Sequence, residues 1–195
     1  MTSPPRGMQG RLARLFLAMG LPSYARRFDS SVPPPALGED EAQHLVLRVV
    51  QPGLAGLMDG SVSTLAPIFA TAFVTHRPID AFLVGMAAAT GAGISMAFSE
   101  ALSDDGKLTG RGSPIVRGII TGLMTFLGGS LHTLPFLASN LHLALIIAYI
   151  VVAVELVVIA AIRHRFFRTS WGLSMVQVVG GGALVFGAAL LFGNA

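Results

Sequence analysis

The chain has 195 residues, 53% of them hydrophobic and only 12% charged, with a formal net charge of +3 and no cysteine. That is about half the charged content of a soluble domain, so the composition reads as a membrane protein. Disulfides, thiolate zinc sites and iron–sulfur clusters are excluded, and any metal must be met by oxygen, imidazole or thioether.

Residues 1–45 are read as a cytoplasmic arm and residues 46–195 as a five-helix transporter domain. Six arginines and four acids fall within the first 50 residues. In the arm, Arg11 to Leu21 (RLARLFLAMGL) places Leu12, Leu15, Phe16 and Met19 on one stripe with Arg14 opposite. This predicts a short amphipathic helix lying in the membrane interface, the alternative being a signal peptide with a seven-residue apolar centre. Pro33, Pro34 and Pro35 form a stiff spacer before the first crossing.

Five apolar segments approach or exceed the roughly 20 residues that cross the hydrocarbon layer, at about 52–74, 79–102, 115–137, 141–162 and 171–192. No ten-residue alternation is present, so each is predicted as a helix and the fold class is an all-α membrane protein. With the N-terminus cytoplasmic and the C-terminus outside, 12 of the 13 basic residues flank the inner face and only Arg77 lies outside. This bias accounts for the basic balance without any nucleic-acid partner.

Acidic residues fall inside three crossings: Asp59 in the first, Glu100 in the second and Glu155 in the fourth. Each costs about 2.5–3.5 kcal/mol near a helix centre, so each needs a partner. No Lys or Arg lies deep in a crossing, which predicts that these carboxylates are protonated or balanced by a mobile cation. At about 1.5 Å per residue, Asp59, Met96 and Glu155 lie roughly 9–10 Å in from the cytoplasmic end, with Glu100 one turn nearer to it.

In the first crossing, GLMDGSVSTL, residues Gly56, Asp59, Gly60, Ser63 and Pro67 follow helical spacing and make a small, polar face. Pro67 lacks the N–H that would take the carbonyl of Ser63. Ala89, Gly93, Met96 and Glu100 share a face of the second crossing. Small residues let two such faces approach closely. Beside carboxylates, Met96 is a soft ligand suited to Fe²⁺ or Mn²⁺ rather than Mg²⁺.

Alternatives stand beside each assignment. Asp59 as a neutral acid would bond between helices, Glu100 would meet headgroups or Arg117, Glu155 would bond a neighbouring helix, and Met96 would only pack. His132, with His76 and His142 toward the same outer face, is a candidate proton relay or an ordinary interfacial histidine. Asp104 and Asp105, in the loop from Ser103 to Pro114, read as solvated helix-end residues, the alternative being a metal-collecting role. The run Gly180-Gly181-Gly182 reads as close helix packing. Metalloprotease, phosphate-loop and dinucleotide signatures are missing, and no enzyme is expected.

The motifs GLMDGSVSTLAP, GAGISMAFSEALSDDG and RGIITGLMTFLGGSLHTLPF, in this order, resemble the vacuolar iron transporter family over about residues 46–192. They look most like the membrane half of its bacterial ferritin-like members. The resemblance implies a five-helix protomer, a homodimer, and export of Fe²⁺ or Mn²⁺ from the cytoplasm in exchange for protons. Asp59 matches the family's transport aspartate, Met96 its methionine and Glu100 the acid that follows.

Two departures matter. About a dozen residues join the second and third crossings where many members carry a Glu- and Met-rich domain, and Ala88 stands where some have an acid. No ferritin-like domain is recognisable ahead of the first crossing, where Glu39, Asp40, Glu41 and His44 either collect metal weakly or form a solvated helix start.

The expected site is therefore Asp59, Met96, Glu100 and Glu155 for the metal, with Asp59 and His132 on a proton path. The ion is transported rather than held as a permanent cofactor. A bacterial cytoplasmic membrane is the expected location. The competing functions are a facilitative cation channel and a non-transporting subunit that senses metal or anchors a partner.

Overall fold

A computed structural model describes Arg11, Arg14 and residues 39–106, 109–167 and 169–193. The chain divides into two compact units, residues 1–44 and 45–195. In the first, Arg11 and Arg14 are helical and exposed. The remainder of the predicted amphipathic helix and the triple-proline spacer lie outside the described residues, as do the side chains of Glu39, Asp40 and Glu41.

The described residues are helical or in turns, with no strand among them. The elements are α1 (Glu39–Leu45), a π-helical segment (Val46–Val50), α2 (Gln51–Ser63), α3 (Leu65–Thr75), α4 (Pro78–Ala101), α5 (Pro114–Leu131), a 3₁₀ turn (Leu134–Leu137), α6 (Leu141–Phe167) and α7 (Trp171–Gly193). Five stretches are long and apolar enough to cross a membrane: Ala42–Thr75, Pro78–Ala101, Pro114–Leu131, Leu141–Phe167 and Trp171–Gly193. The five predicted crossings are present, with two differences.

The first crossing is interrupted. It runs 34 residues, about 51 Å of helix against a hydrocarbon layer of about 30 Å. At Thr64 the regular ladder breaks and the Thr64 amide turns back to Val62 O. Three residues on, Pro67 has no N–H for the Ser63 carbonyl, so sequence and break agree. The third crossing ends at Leu131 rather than near 137, because Pro135 cannot continue the ladder and the chain tightens into the 3₁₀ turn.

Small residues decide which helices touch. A Cβ on Gly56 would overlap the carbonyl oxygen of Thr121, and one on Gly60 would overlap that of Thr125, so α2 lies backbone to backbone on α5. The other side of α5 meets α4 the same way: a Cβ on Gly93 would stand 2.9 Å from Gly122 O, and one on Gly122 2.6 Å from Gly93 O. In lipid, where apolar burial alone does not drive helices together, such close contact supplies the association. Gly56, Gly60 and Gly93 do serve close helix approach, but each meets α5, so the expected approach of these faces of the first and second crossings to one another is corrected. The close packing expected of the later triplet is met only at Gly182, which faces Leu156, since Gly180 and Gly181 border open space.

Polar side chains inside this packing bond to their own helices. Thr121 donates to Arg117 O at 2.9 Å, Thr125 to Thr121 O at 2.9 Å and Thr133 to Gly129 O at 2.7 Å. Buried hydroxyls satisfied in this way put little strain on an apolar interior. Around α3 the interior is apolar, with Leu65, Ile68 and Phe69 against Phe136, Ala144 and Ala189. Phe69 stacks on Tyr149 at 5.1 Å.

Candidate ion pathway

Asp59 lies on α2 between the glycines that seat α5. It is half-buried, and among the described residues its carboxylate has neither a hydrogen-bond nor an ion-pair partner. Met96, on α4, is half-buried as well.

Glu100 is different. Its Oε1 accepts from Arg117 Nε at 2.7 Å and from Arg111 Nη2 at 2.8 Å. The same two arginines reach Asp104, through Arg117 Nη2 to Oδ1 at 3.0 Å and Arg111 Nη1 to Oδ2 at 3.1 Å. Arg117 is 1% exposed, and its Nη1 also donates to Gly112 O at 3.2 Å.

Two expectations are corrected here. Arg117 belongs inside the bundle and gives Glu100 a built-in counter-charge, and Asp104 is a member of the network rather than a solvated helix-end residue. Desolvation pushes the Asp104 carboxyl up, but bonds from Arg117, the Gly106 amide and Arg111 outweigh it, and the group is held below the usual carboxylate range. The connection is tight enough that a Cβ on Gly106 would overlap Gly112 O, and Gly106 takes a φ of 72° that suits glycine.

Glu155 is 6% exposed and meets His132, which caps the end of α5 and is fully buried. Glu155 Oε2 lies 3.0 Å from His132 Nδ1, and His132 Nε2 lies 2.8 Å from Thr64 Oγ1. Thr64 Oγ1 donates its single hydrogen to Gly60 O at 2.8 Å, so it must accept from His132, whose Nε2 therefore carries a hydrogen. One proton then lies between Nδ1 and Oε2. The pair is imidazolium with carboxylate or imidazole with carboxylic acid, and it is neutral overall in either form.

This chain joins the break in the first crossing to the end of α5 and the middle of α6. The expectation that Glu155 lacks a built-in partner is corrected accordingly. Its Oε1 has no hydrogen-bond partner among the described residues.

The four predicted metal residues are not gathered into one cluster. Among the described residues no three His, Asp or Glu side chains come together as a group able to hold a metal ion. Asp59 and Met96 keep their side chains uncommitted, whereas Glu100 and Glu155 are engaged. His76, with a left-handed φ of 53° at the end of α3, and His142 are exposed, whereas His132 is fully buried. Arg111 and Thr64 are site residues that sequence reasoning missed. The proline three residues after Thr64 is the one local signal that marked its neighbourhood.

No curated protein and no solved structure matches the chain. A family model does: residues 104–194 match the VIT family, a span holding Asp104, Arg111, Arg117, His132 and Glu155 and leaving Asp59, Met96 and Glu100 ahead of it. The chain thus has five helices long and apolar enough to cross a membrane, and over residues 104–194 it is similar to the VIT family.

Proposed function

We propose that the protein exports a divalent transition-metal ion, Fe²⁺ or Mn²⁺, from the cytoplasm in exchange for protons, as a homodimer in a bacterial cytoplasmic membrane. One observation carries this reading. Of the three carboxylates at membrane depth, Glu100 and Glu155 have protein partners and Asp59 has none among the described residues. A carboxylate that the protein leaves unbalanced in lipid is balanced by a proton or by cargo.

In the resting state Asp59 holds a proton. An incoming divalent ion takes that place, with Met96 adding a thioether that favours Fe²⁺ or Mn²⁺ over harder ions. Glu100, one turn from Met96, stands at the cytoplasmic entrance, where Arg117 and Arg111 hold it until a cation competes. Glu155 serves the proton side by sharing a proton with His132, whose hydrogen bonds run on through Thr64 to the carbonyl of Gly60, the residue after Asp59. The exposed small and polar residues Thr90, Gly91 and Ser95 on α4 support pairing of two copies, since small faces left to lipid are those on which helices associate.

The test is flux in proteoliposomes with a metal-sensitive dye inside and a set pH difference across the membrane. Asp59→Asn keeps shape and removes the ionisable group, and the exchange rate is expected to fall at least about tenfold, or ~1.4 kcal/mol in barrier. Exchange at the parent rate would make Asp59 structural and overturn the mechanism. Metal flux indifferent to the pH gradient would favour a facilitative channel. Met96→Leu is expected to lower Fe²⁺ flux more than Mn²⁺ flux.

A further inference from the structure

Between α2 and α6, at the end of the bundle where α6 finishes, lies a cavity of about 280 Å³ lined by Gln51, Leu54, Ala55, Met58, Arg163 and Phe167. The four α2 residues are spaced i, i+3, i+4 and i+7 and so form one helix face, and Arg163 and Phe167 are one turn apart on α6. The cavity has two chemistries. Leu54, Ala55 and Phe167 give it apolar walls, and Arg163 gives it a cation.

That cation is poorly served by the protein. Arg163 Nη2 donates to Gln177 Oε1 at 2.6 Å, and Nη1 points to Met58 Sδ at 3.9 Å. Both acceptors are neutral, and among the described residues no carboxylate pairs with Arg163. The contrast with Arg111 and Arg117, which share two carboxylates, is internal to this molecule. A half-buried guanidinium on a spanning helix needs an anion from elsewhere. Arg163 stands one turn, about 6 Å, before the last residue of α6, which is the depth of lipid phosphates rather than of acyl-chain ends.

The geometry points to a binding site for an anionic phospholipid. Its phosphodiester bonds to the Arg163 guanidinium with Gln51 beside it, and its first methylenes lie on Leu54, Ala55 and Phe167. A free phosphate would match the arginine but leave the apolar walls uncovered, whereas basic pockets between spanning helices are suited to anionic headgroups. Bound lipid would tie α2 to α6 at Met58, the residue before Asp59. The inference is independent of which ion is carried.

Native mass spectrometry of the purified full chain in detergent tests it, with phosphatidylglycerol, phosphatidylcholine and glycerol phosphate as probes. Phosphatidylglycerol adducts are expected to persist about tenfold better than phosphatidylcholine adducts in the parent protein, and Arg163→Gln is expected to remove that advantage. Arg165→Gln, at an exposed arginine two residues on, is expected to keep it. Should Arg163→Gln fail to fold, Ala55→Trp fills the cavity with the arginine in place and is expected to lose the same adducts. Undiminished phosphatidylglycerol retention in either cavity variant would overturn the site. Equal retention of phosphatidylcholine, or of glycerol phosphate alone, would overturn its assignment to an anionic lipid.

Discussion

At the junction of α4 and α5, Glu100 and Asp104 share two guanidinium groups, one of them almost wholly buried. In the middle of α2, Asp59 has no partner at all among the described residues. The sequence places similar carboxylates in both regions, yet the fold balances one and leaves the other open. A charge that the protein neutralises holds helices in register. A charge left open is a place for something that arrives and departs. Substitutions should therefore separate stability from transport according to region.

The largest loss of stability is expected at the balanced end. Arg117→Met leaves Glu100 and Asp104 with Arg111 alone, and removal of one member of a buried ion pair costs up to about 3–5 kcal/mol. Thermal unfolding in detergent measures this, and a midpoint close to the parent's would mean that the network does not hold the junction. Gly60→Leu comes next. Its side chain meets the α5 backbone, and overpacking of this kind costs about 1–3 kcal/mol. It should also abolish metal flux by moving α2.

Glu155→Leu leaves His132 with an unpaired ring nitrogen, a loss of about 1–3 kcal/mol. Glu155→Gln restores a hydrogen bond to a neutral imidazole but cannot share the proton. It should recover most of the stability while proton-coupled flux stays low. Full flux in the Gln variant would remove the pair from the proton path.

A smaller effect follows from pH. The Asp104 carboxyl is depressed in the folded protein, so the unfolded chain binds more protons in the window between the two values. Its contribution is complete above the unfolded value of about 3.9 and is lost as pH falls through the folded one. Comparison of the parent with Asp104→Asn between neutral and acid pH should show the gap in melting temperature closing on acidification. Smallest of all should be Asp59→Asn, within about 0.5 kcal/mol of the parent. A large stability loss there would erase the distinction between the two regions.

Five crossings were legible because about 20 consecutive apolar residues have few other uses, and the glycines at 56, 60 and 93 announced helix contact through their spacing. The Glu100–Arg117 contact was one of two readings of a carboxylate near a helix end. The His132–Glu155 pair was not legible, since 23 residues and a change of helix separate the two and periodicity says nothing about which helices are neighbours. Arg111 was hidden for another reason. A loop arginine looks solvated until the fold turns it inward, and here the glycines at 106, 110 and 112, all at positive φ, make that turn.

Where α2 rests on α5 through glycine, main chain touches main chain. A layer of side chains between two helices can change rotamers and let one slide past the other, as a lubricating film does. No such film separates α2 from α5 at Gly56 and Gly60, so these two helices and α4 are expected to move as a single stave. Compliance is expected instead at the interrupted turn of Thr64 and in the α6 and α7 pair, which meets α2 through the side chains of Leu54, Leu57, Leu156, Ile159 and Val178. Deuterium exchange on the protein in detergent should follow this division, with the α2, α4 and α5 amides slowest and those next to Thr64 among the fastest within the membrane.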